Sequence, residues 1–284
     1  MEFKLLGPLE AIHNRRVCTP RAPKVKKVLA LLLLRANQVV GLDSFIEELW
    51  GDKSPQTAVT TTQTYVYHLR KSLGRAVGPD QAEHLVETAA PGYVLRVDDE
   101  NIDLKQFDWV ISRAQASAKA NRFKETARYA EEALALWTGA PLAGVDCGSF
   151  LNGYVANLEE RHTAALELRV HAEMQLGNYR EMIAELRSIV TVHPLNEWFH
   201  AQLIMALNMS GRRSEALRAY QTVRDLLRRE LGLDPSPELW QLHQEILAAD
   251  AHGRGAPSTS PARGPLASRG AALGFVHHQP APAL

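Results

Sequence analysis

The first hundred residues alternate between short strand-like patterns and longer helical ones. Residues 3–6 and 9–13, separated by the Gly7-Pro8 turn, predict two strands. Apolar positions at spacings of three and four then predict helices over 23–36, 44–50 and 56–73. Pro23 suits a first helical turn, Ser44 and Glu47 have capping-box spacing, and Gly74 is expected to end the third helix. Strands 85–88 and 93–96, joined by residues 89–92, predict a hairpin, and the whole order is typical of a winged helix.

The third predicted helix has two chemically different faces. The face expected to pack on the first two helices is made of Val59, Thr62, Val66, Leu69 and Leu73. The opposite face and its flanks hold groups that bond base edges and phosphates: Thr60, Thr61, Gln63, Thr64, Tyr67, His68, Arg70 and Lys71. A polar helix face is most often only a solvated face. The order of the elements favours a DNA-reading helix here.

Charge is unevenly distributed along the chain. Residues 1–97 contain 13 Lys and Arg against 9 Asp and Glu, whereas the remainder contains 19 against 23. No acidic residue occurs from position 55 to 75. A basic cluster lies ahead of the first helix and in its first turns, at Arg15, Arg16, Arg21, Lys24, Lys26 and Lys27. Because phosphate contacts supply much of the affinity for DNA, this clustering is compatible with a nucleic-acid partner, although basic runs are more often only solvated faces.

Residues 101–249 have only helical periodicity, and the segment repeats itself. Residues 177–183 align with 211–217 at an offset of 34, and residues 121–127 fit the same frame less well. Thirty-four residues is the period of the tetratricopeptide repeat, whose stacked helix pairs bury each other's apolar faces. Trp137, Trp198 and Trp240 are interpreted as packing residues. The predicted fold is therefore mainly α with a small β component: a winged-helix domain over 1–97, a tetratricopeptide-like domain over 98–250 and a disordered tail over 251–284.

Other classes of function have little support in the sequence. Cys18 and Cys147 are far apart and outside any metal-ligand spacing, so no metal, cofactor or disulfide is expected. No apolar run is long enough for a membrane helix, and the N-terminus lacks a signal-peptide pattern, which indicates a cytoplasmic protein. The sequence shows no phosphate-loop pattern and no acidic receiver pattern, so neither an ATPase module nor an aspartyl-phosphate switch is expected. His193, His200 and His243 lack a paired nucleophile pattern, so an enzyme is not expected.

Short motifs over residues 1 to about 250 resemble those of the Streptomyces antibiotic regulatory protein family. In the first half these are KLLGPL at 4–9, EELWG at 47–51, TQTYV at 62–66 with Leu69-Arg70, and PGY at 91–93. In the second half they are HPLNE at 193–197, Ala206-Leu207 with SGR at 210–212, and ELGLDPSPEL at 230–239. Any one motif is weak evidence, but their order over most of the chain is specific.

The resemblance implies an OmpR-type winged helix joined to a bacterial transcriptional activator domain. It implies activation of a secondary-metabolite (antibiotic) gene cluster through promoter direct repeats in double-stranded DNA, with recruitment of RNA polymerase. The third helix would enter the major groove, assisted by Arg75 and by Arg15, Arg16, Arg21 and Lys24. The wing would contribute Thr88 and Tyr93, although Ala89-Ala90 stands where relatives often carry an arginine. The segment 51–57, with Asp52, Lys53 and Gln56, would face the polymerase.

Four questions stay open from sequence. The chain is an adaptor if the repeat domain binds protein and the first domain is only structural. The residues alone do not decide between activation and repression, and the resemblance favours activation. A homodimer is compatible with direct repeats, since two protomers can lie head to tail one helical turn apart. The concave surface of the repeats could hold a peptide or a small effector.

Overall fold

The computed structural model describes residues 1–253, with side chains through residue 248. The predicted tail at 251–284 lies outside the described residues from position 254 onward. The first half contains two small sheets and four helices. Its elements are β1 (Glu2–Lys4), β2 (Glu10–His13), β3 (Arg16–Val17), α1 (Pro23–Leu34), β4 (Val40–Gly41), α2 (Leu42–Trp50), α3 (Ala58–Val77), α4 (Pro79–Leu85), β5 (Val86–Ala89) and β6 (Gly92–Leu95).

The first sheet has the order β1-β2-β3 with antiparallel neighbours. β3 is only two residues long and has no periodicity of its own, so the sequence did not predict it. The two-residue turn before it places Asn14 and Arg15 at φ 49° and 64°. Positive φ at both central positions is the geometry of a type I′ turn, which matches the natural twist of a hairpin. The turn presents Arg15 and Arg16 at an exposed tip.

Helix α2 begins two residues earlier than its capping-box spacing predicted. It starts at Leu42, after Gly41, and Ser44 lies inside the first turn without a side-chain cap. The physical reason is tertiary: β4 pairs with β6, and the Leu42 N–H donates to the Pro91 carbonyl. Hydrogen bonds to the wing therefore set the start of this helix.

Helix α3 is displaced from its predicted range and its packing face differs at one end. It spans Ala58–Val77, so Gly74 is internal and Gly78, at φ 95°, ends it. The sequence also missed α4, a single short helix whose Pro79 packs near Gly74. Val59, predicted in the core, is 45% exposed, and Ala58 takes the buried position.

The wing is the β5–β6 hairpin, and β6 also pairs with β4. The predicted hairpin is confirmed, whereas β4 was not predicted because it has only two residues. Gly92 is required where the strands meet: a Cβ on it would lie 1.8 Å from the Val40 carbonyl oxygen. Only a residue without a side chain allows this approach.

Among residues 103–253 the named elements are all helices, but residues 135–148, between the second and third of them, form a long non-helical segment. The helices are α5 (Asp103–Lys119), α6 (Phe123–Leu134), α7 (Ser149–Gln175), α8 (Tyr179–Val192), α9 (Glu197–Met209), α10 (Arg213–Leu231) and α11 (Pro237–Gly253). Gly177 and Gly211 lie at the turns inside two helix pairs, at φ 80° and 78°, as the repeat predicted. Asn121 occupies the equivalent turn of the first pair at φ 56°, which explains the weaker alignment there.

The chain has two hydrophobic cores, and their boundary differs from the predicted boundary between the winged-helix domain and the repeat domain. The first core runs from Phe3 through the winged helix into α5, α6 and the first half of α7. The second contains the end of α7 and the helices α8–α11. Trp137 and Trp198 pack against these cores, but Trp240 is 56% exposed, so its predicted packing role is wrong.

A buried carboxylate ties the first sheet to the repeat helices. The Asp103 side chain, at the start of α5, accepts N–H groups of Leu5 and Leu6 at 2.8–2.9 Å and of Leu104 at 2.7 Å. Burial raises the pKa of Asp103, and these backbone N–H groups offset part of the cost of burying its charge. Residues 5–9 also exchange backbone hydrogen bonds with residues 138–143. The N-terminal segment is therefore held from both sides.

Candidate nucleic-acid interface

Helix α3 exposes most of the polar face that the sequence predicted. Tyr67 is 58% exposed, and its ring meets that of His68 at 5.5 Å between centroids. Thr61 is half-buried, while the side chains of Thr60, Gln63, Thr64, His68, Lys71 and Arg75 are exposed. The opposite face packs through Thr62, Val66, Leu69 and Leu73 into the first core. No carboxylate occurs within α3, so its outer face is hydroxyl, amide, imidazole and cation.

Arg70 is directed at the wing. Its Nε donates to the Val86 carbonyl at 2.7 Å, and Nη2 donates to Thr88 Oγ1 at 3.0 Å. The guanidinium carbon also lies 5.7 Å from the centre of the Tyr93 ring. Two donors of this side chain are thus used within the protein, which joins the wing to α3.

The two predicted wing residues lie in different environments. Thr88 is exposed on β5, whereas Tyr93 is buried at 8% exposure and its ring packs edge-on against Phe45 at 6.2 Å. Tyr93 is placed in the core because β6 is the central strand of the sheet. Its side chain therefore has almost no surface to offer a ligand.

A basic groove lies between the β2–β3 hairpin and the C-terminal half of α3. It encloses about 930 Å³ and is lined by polar and cationic groups that include His13, Arg16, Arg21, Ser72 and Arg75. A smaller hollow of about 440 Å³ continues past Arg21 to His68 and Lys71. The fold thus brings together residues that are up to sixty positions apart, and their positive charge suits a phosphate backbone.

Cys18 also lines this groove. Burial raises the pKa of the Cys18 thiol, so it stays neutral near pH 7.

Part of the predicted basic cluster has a structural role. Lys24 Nζ donates to the Leu49 carbonyl at the end of α2, at 2.6 Å. Lys27 is buried beside Glu48 and Asp146. Sequence reasoning could not separate these lysines from Arg16 and Arg21, because all of them fall in one basic run. One sequence signal does indicate that Lys27 is buried. It lies between Val25 and Val28 at the start of the long apolar run of α1, and this helix is buried along most of its length.

The segment between α2 and α3 is a surface loop. A 3₁₀ turn covers Gly51–Lys53, and every residue from 51 to 57 is exposed, including Asp52, Lys53 and Gln56. Trp50 precedes it and stacks on Tyr65 of α3 at 6.2 Å between ring centres. The loop is therefore anchored at its base and open to a partner at its tip.

Two further findings concern the described part of the chain, residues 1–253. Within this part of the chain no group of three or more His, Cys, Asp or Glu side chains has the arrangement needed for a metal ion. Over the same residues no helix is both long and apolar enough to cross a bilayer.

Two family models match the chain in the same order as its structure. Residues 18–95 match the transcriptional regulatory protein C-terminal model, and residues 102–247 match the bacterial transcriptional activator domain. The regulatory protein DnrI of Streptomyces peucetius is 36% identical over 253 residues, covering 88% of this chain and 93% of DnrI. The transcriptional regulator RedD of Streptomyces coelicolor is 31% identical over 250 residues, covering 88% of this chain and 71% of RedD.

A solved structure has the same fold. Mycobacterium tuberculosis EmbR, in complex with a low-affinity phosphopeptide, superposes with a TM-score of 0.80 at 34% sequence identity. The match covers 87% of this chain and 65% of the solved chain, so this chain spans about two thirds of that relative.

These matches and the fold define a class: a transcriptional regulator with an OmpR-type winged helix and a helical activator domain. Within that class, the chain belongs to the Streptomyces antibiotic regulatory protein family.

Proposed function

We propose that this protein is a sequence-specific DNA-binding activator of an antibiotic biosynthetic gene cluster. The observation that carries the proposal is the acid-free, exposed face of α3 beside a basic groove. Similarity to the Streptomyces regulators DnrI and RedD, within the antibiotic regulatory protein family, supports the target class. The DNA partner is double-stranded and contains promoter direct repeats, and two protomers bind it head to tail.

Helix α3 lies in the major groove and reads bases. Gln63 can bond adenine through both its amide atoms, while Thr60, Thr64 and His68 supply single hydrogen bonds. Val59 adds something that polar residues lack: an exposed apolar group, suited to the methyl group of thymine. Thr61 and Tyr67 flank these readers. This face therefore favours a half-site containing A·T pairs.

Phosphate contacts surround the reading helix. Arg16, Arg21, Lys71 and Arg75 meet the backbone from the basic groove, and Arg15 extends from the hairpin tip. Thr88 contacts the adjacent backbone from the wing. Arg70 and Lys24 act mainly by holding the wing and α2, because their donors are bonded within the protein.

The exposed loop 51–57 faces RNA polymerase. It carries Asp52, Lys53 and Gln56, and it lies directly before the reading helix, so DNA binding fixes its position on the promoter. In this arrangement the protein recruits polymerase through direct contact.

The test combines binding and transcription. The full chain is titrated against promoter fragments of candidate clusters, and a fragment with a direct repeat should bind more tightly than a scrambled one of equal length. Added polymerase should then give more transcript from the repeat-containing promoter. Equal affinity for both fragments would overturn sequence-specific binding, and a reduced transcript would identify a repressor.

An adaptor is the second candidate, supported by the repeated helices of α5–α11, because helical repeats commonly bind partners. An Arg75→Gln, Lys71→Gln variant of the full chain separates the two functions. If this variant loses both DNA binding and regulation, the protein is the DNA-binding activator. If regulation is unchanged, the protein is the adaptor.

A further inference from the structure

Glu48, on helix α2 of the winged helix, binds the first turn of helix α7. Its side chain is fully buried, and its carboxylate accepts the N–H groups of Gly148 and of Leu151, the latter at 3.0 Å. These two N–H groups are among those that a helix leaves without partners at its N-terminus. A residue from the other half of the chain, a hundred positions away, therefore caps α7.

A buried lysine reinforces this cap. Lys27 Nζ lies 3.8 Å from the Glu48 carboxylate and 3.6 Å from that of Asp146, and it also donates to the Glu48 carbonyl at 3.4 Å. Removing one partner of a buried ion pair leaves an uncompensated charge and is strongly destabilising. The contact between α1, α2 and α7 is thus specified by charge as well as by packing.

Helix α7 belongs to both hydrophobic cores. Leu151 and Leu158 lie in the first core, while Val170 and Met174 lie in the second. The helix has 27 residues and is about 40 Å long at 1.5 Å per residue. A rigid element of this length carries a displacement in the second core back to its capped end.

The other side of Glu48 leads to the DNA-reading surface. Leu49, the next residue, accepts a hydrogen bond from Lys24, and Trp50 stacks on Tyr65 of α3. The exposed loop 51–57 follows at once. Any change in how α7 meets Glu48 therefore reaches both the loop and α3 within three residues.

We propose that Glu48 is a positioning residue that couples the second core, α8–α11, to the loop 51–57 and to α3. A partner or effector that shifts the second core moves α7, and the cap at Glu48 transmits the shift. This coupling goes beyond the proposed DNA-binding function, since it concerns how the reader is controlled, and it is testable without DNA.

The first experiment measures hydrogen exchange of the full chain. Glu48→Gln keeps the shape of the side chain but offers an N–H₂ group to one of the two N–H donors; Glu47→Gln, at an exposed neighbouring position, is the matched control. Glu48→Gln should speed exchange at Gly148 and Leu151 and also across residues 51–61, whereas Glu47→Gln should leave both regions unchanged. Faster exchange confined to Gly148 and Leu151 would overturn the coupling.

A second variant covers the case in which Glu48→Gln fails to fold. A Cβ at Gly148 would lie 2.6 Å from the Glu48 carbonyl oxygen, so Gly148→Ala pushes the two helices apart without changing any charge. It should reproduce the faster exchange at 51–61.

The decisive readout is a double-mutant cycle. Phe199→Leu loosens the second core, where Phe199 is fully buried. It should speed exchange at 51–61 in the wild-type background and have little further effect in the Glu48→Gln background. Additive effects would overturn the proposal. Where DNA binding is established, Glu48→Gln and Phe199→Leu should each lower the affinity for DNA by about tenfold, with an unchanged slope of log K against log salt. Absence of DNA binding in the wild-type chain would count against the proposed function only.

Discussion

Arg70 on α3 and Thr88 on β5 share a hydrogen bond, Nη2 to Oγ1 at 3.0 Å, and Arg70 Nε holds the neighbouring Val86 carbonyl. Helix α3 and the wing are thereby fixed to each other by one side chain. A guanidinium can do this because its donors form a rigid fork, which a lysine ammonium cannot reproduce.

Arg70→Lys should weaken DNA binding without removing a phosphate contact. The slope of log K against log salt should therefore stay the same, while Arg75→Gln should reduce that slope by about 0.9. Fluorescence anisotropy over a range of salt concentrations measures both. An equal loss of slope in both variants would show that Arg70 contacts phosphate directly.

Replacing thymine with uracil in the bound half-site tests Val59. Uracil lacks only the C5 methyl group, so the wild-type chain should lose about 1 kcal/mol of binding free energy at one position. Val59→Ala should bind the two operators more equally. If every thymine can be replaced without loss of affinity, Val59 does not read a methyl group.

Asp103→Asn should destabilise the fold by about 2–4 kcal/mol, because the amide leaves a backbone N–H of Leu5 or Leu6 without an acceptor in the core. Urea denaturation of the full chain measures the loss. Asp99→Asn, at an exposed position just before α5, is the control and should stay near wild type. Similar stability of all three proteins would contradict a structural role for the buried carboxylate.

Acidification should destabilise the second core through His200. Burial lowers the pKa of His200, while the 2.9 Å hydrogen bond between its Nε2 and the Pro194 carbonyl, and the charge of Glu197, act in the opposite direction. The folded state therefore favours the neutral ring. Its contribution to the unfolding free energy is complete above the ordinary histidine pKa of about 6.5 and is lost as the pH falls below it.

Stability curves between pH 7.5 and 5 should accordingly be flatter for His200→Gln than for wild type. His84→Gln, on the exposed surface of α4, should retain the wild-type slope. His162, His171 and His243 have pKa values lowered by burial as well, so the variant should retain part of the dependence.

The order of elements and the exposed face of α3 were predictable because they rest on local periodicity. Tertiary hydrogen bonds decided what local patterns could not: Leu42 starts α2 because its N–H meets the wing, despite the capping-box spacing of Ser44 and Glu47. Short elements such as β3 and β4 have too few residues to create a period.

In the candidate interface the sequence predicted which residue types lie on α3. It did not predict which of their side chains are bonded within the protein and which are exposed. Arg70 and Arg75 occur on the same helix and look equivalent in sequence, yet Arg70 donates hydrogen bonds to the wing. Val59 has the spacing of a core residue, but at the start of α3 it is Ala58 that is buried, and Val59 is exposed. Exposure depends on neighbours that are distant in the chain.

The backbone pairing of residues 5–9 with 138–143 has a consequence for protein engineering. A fragment ending at residue 97 would lose the partners of its own first strand region, together with the Asp103 carboxylate. The unit that can be exchanged between relatives with its interior intact is therefore residues 1 to about 165, the full extent of the first core. A graft made at the junction between the two family motifs would cut through a shared interior.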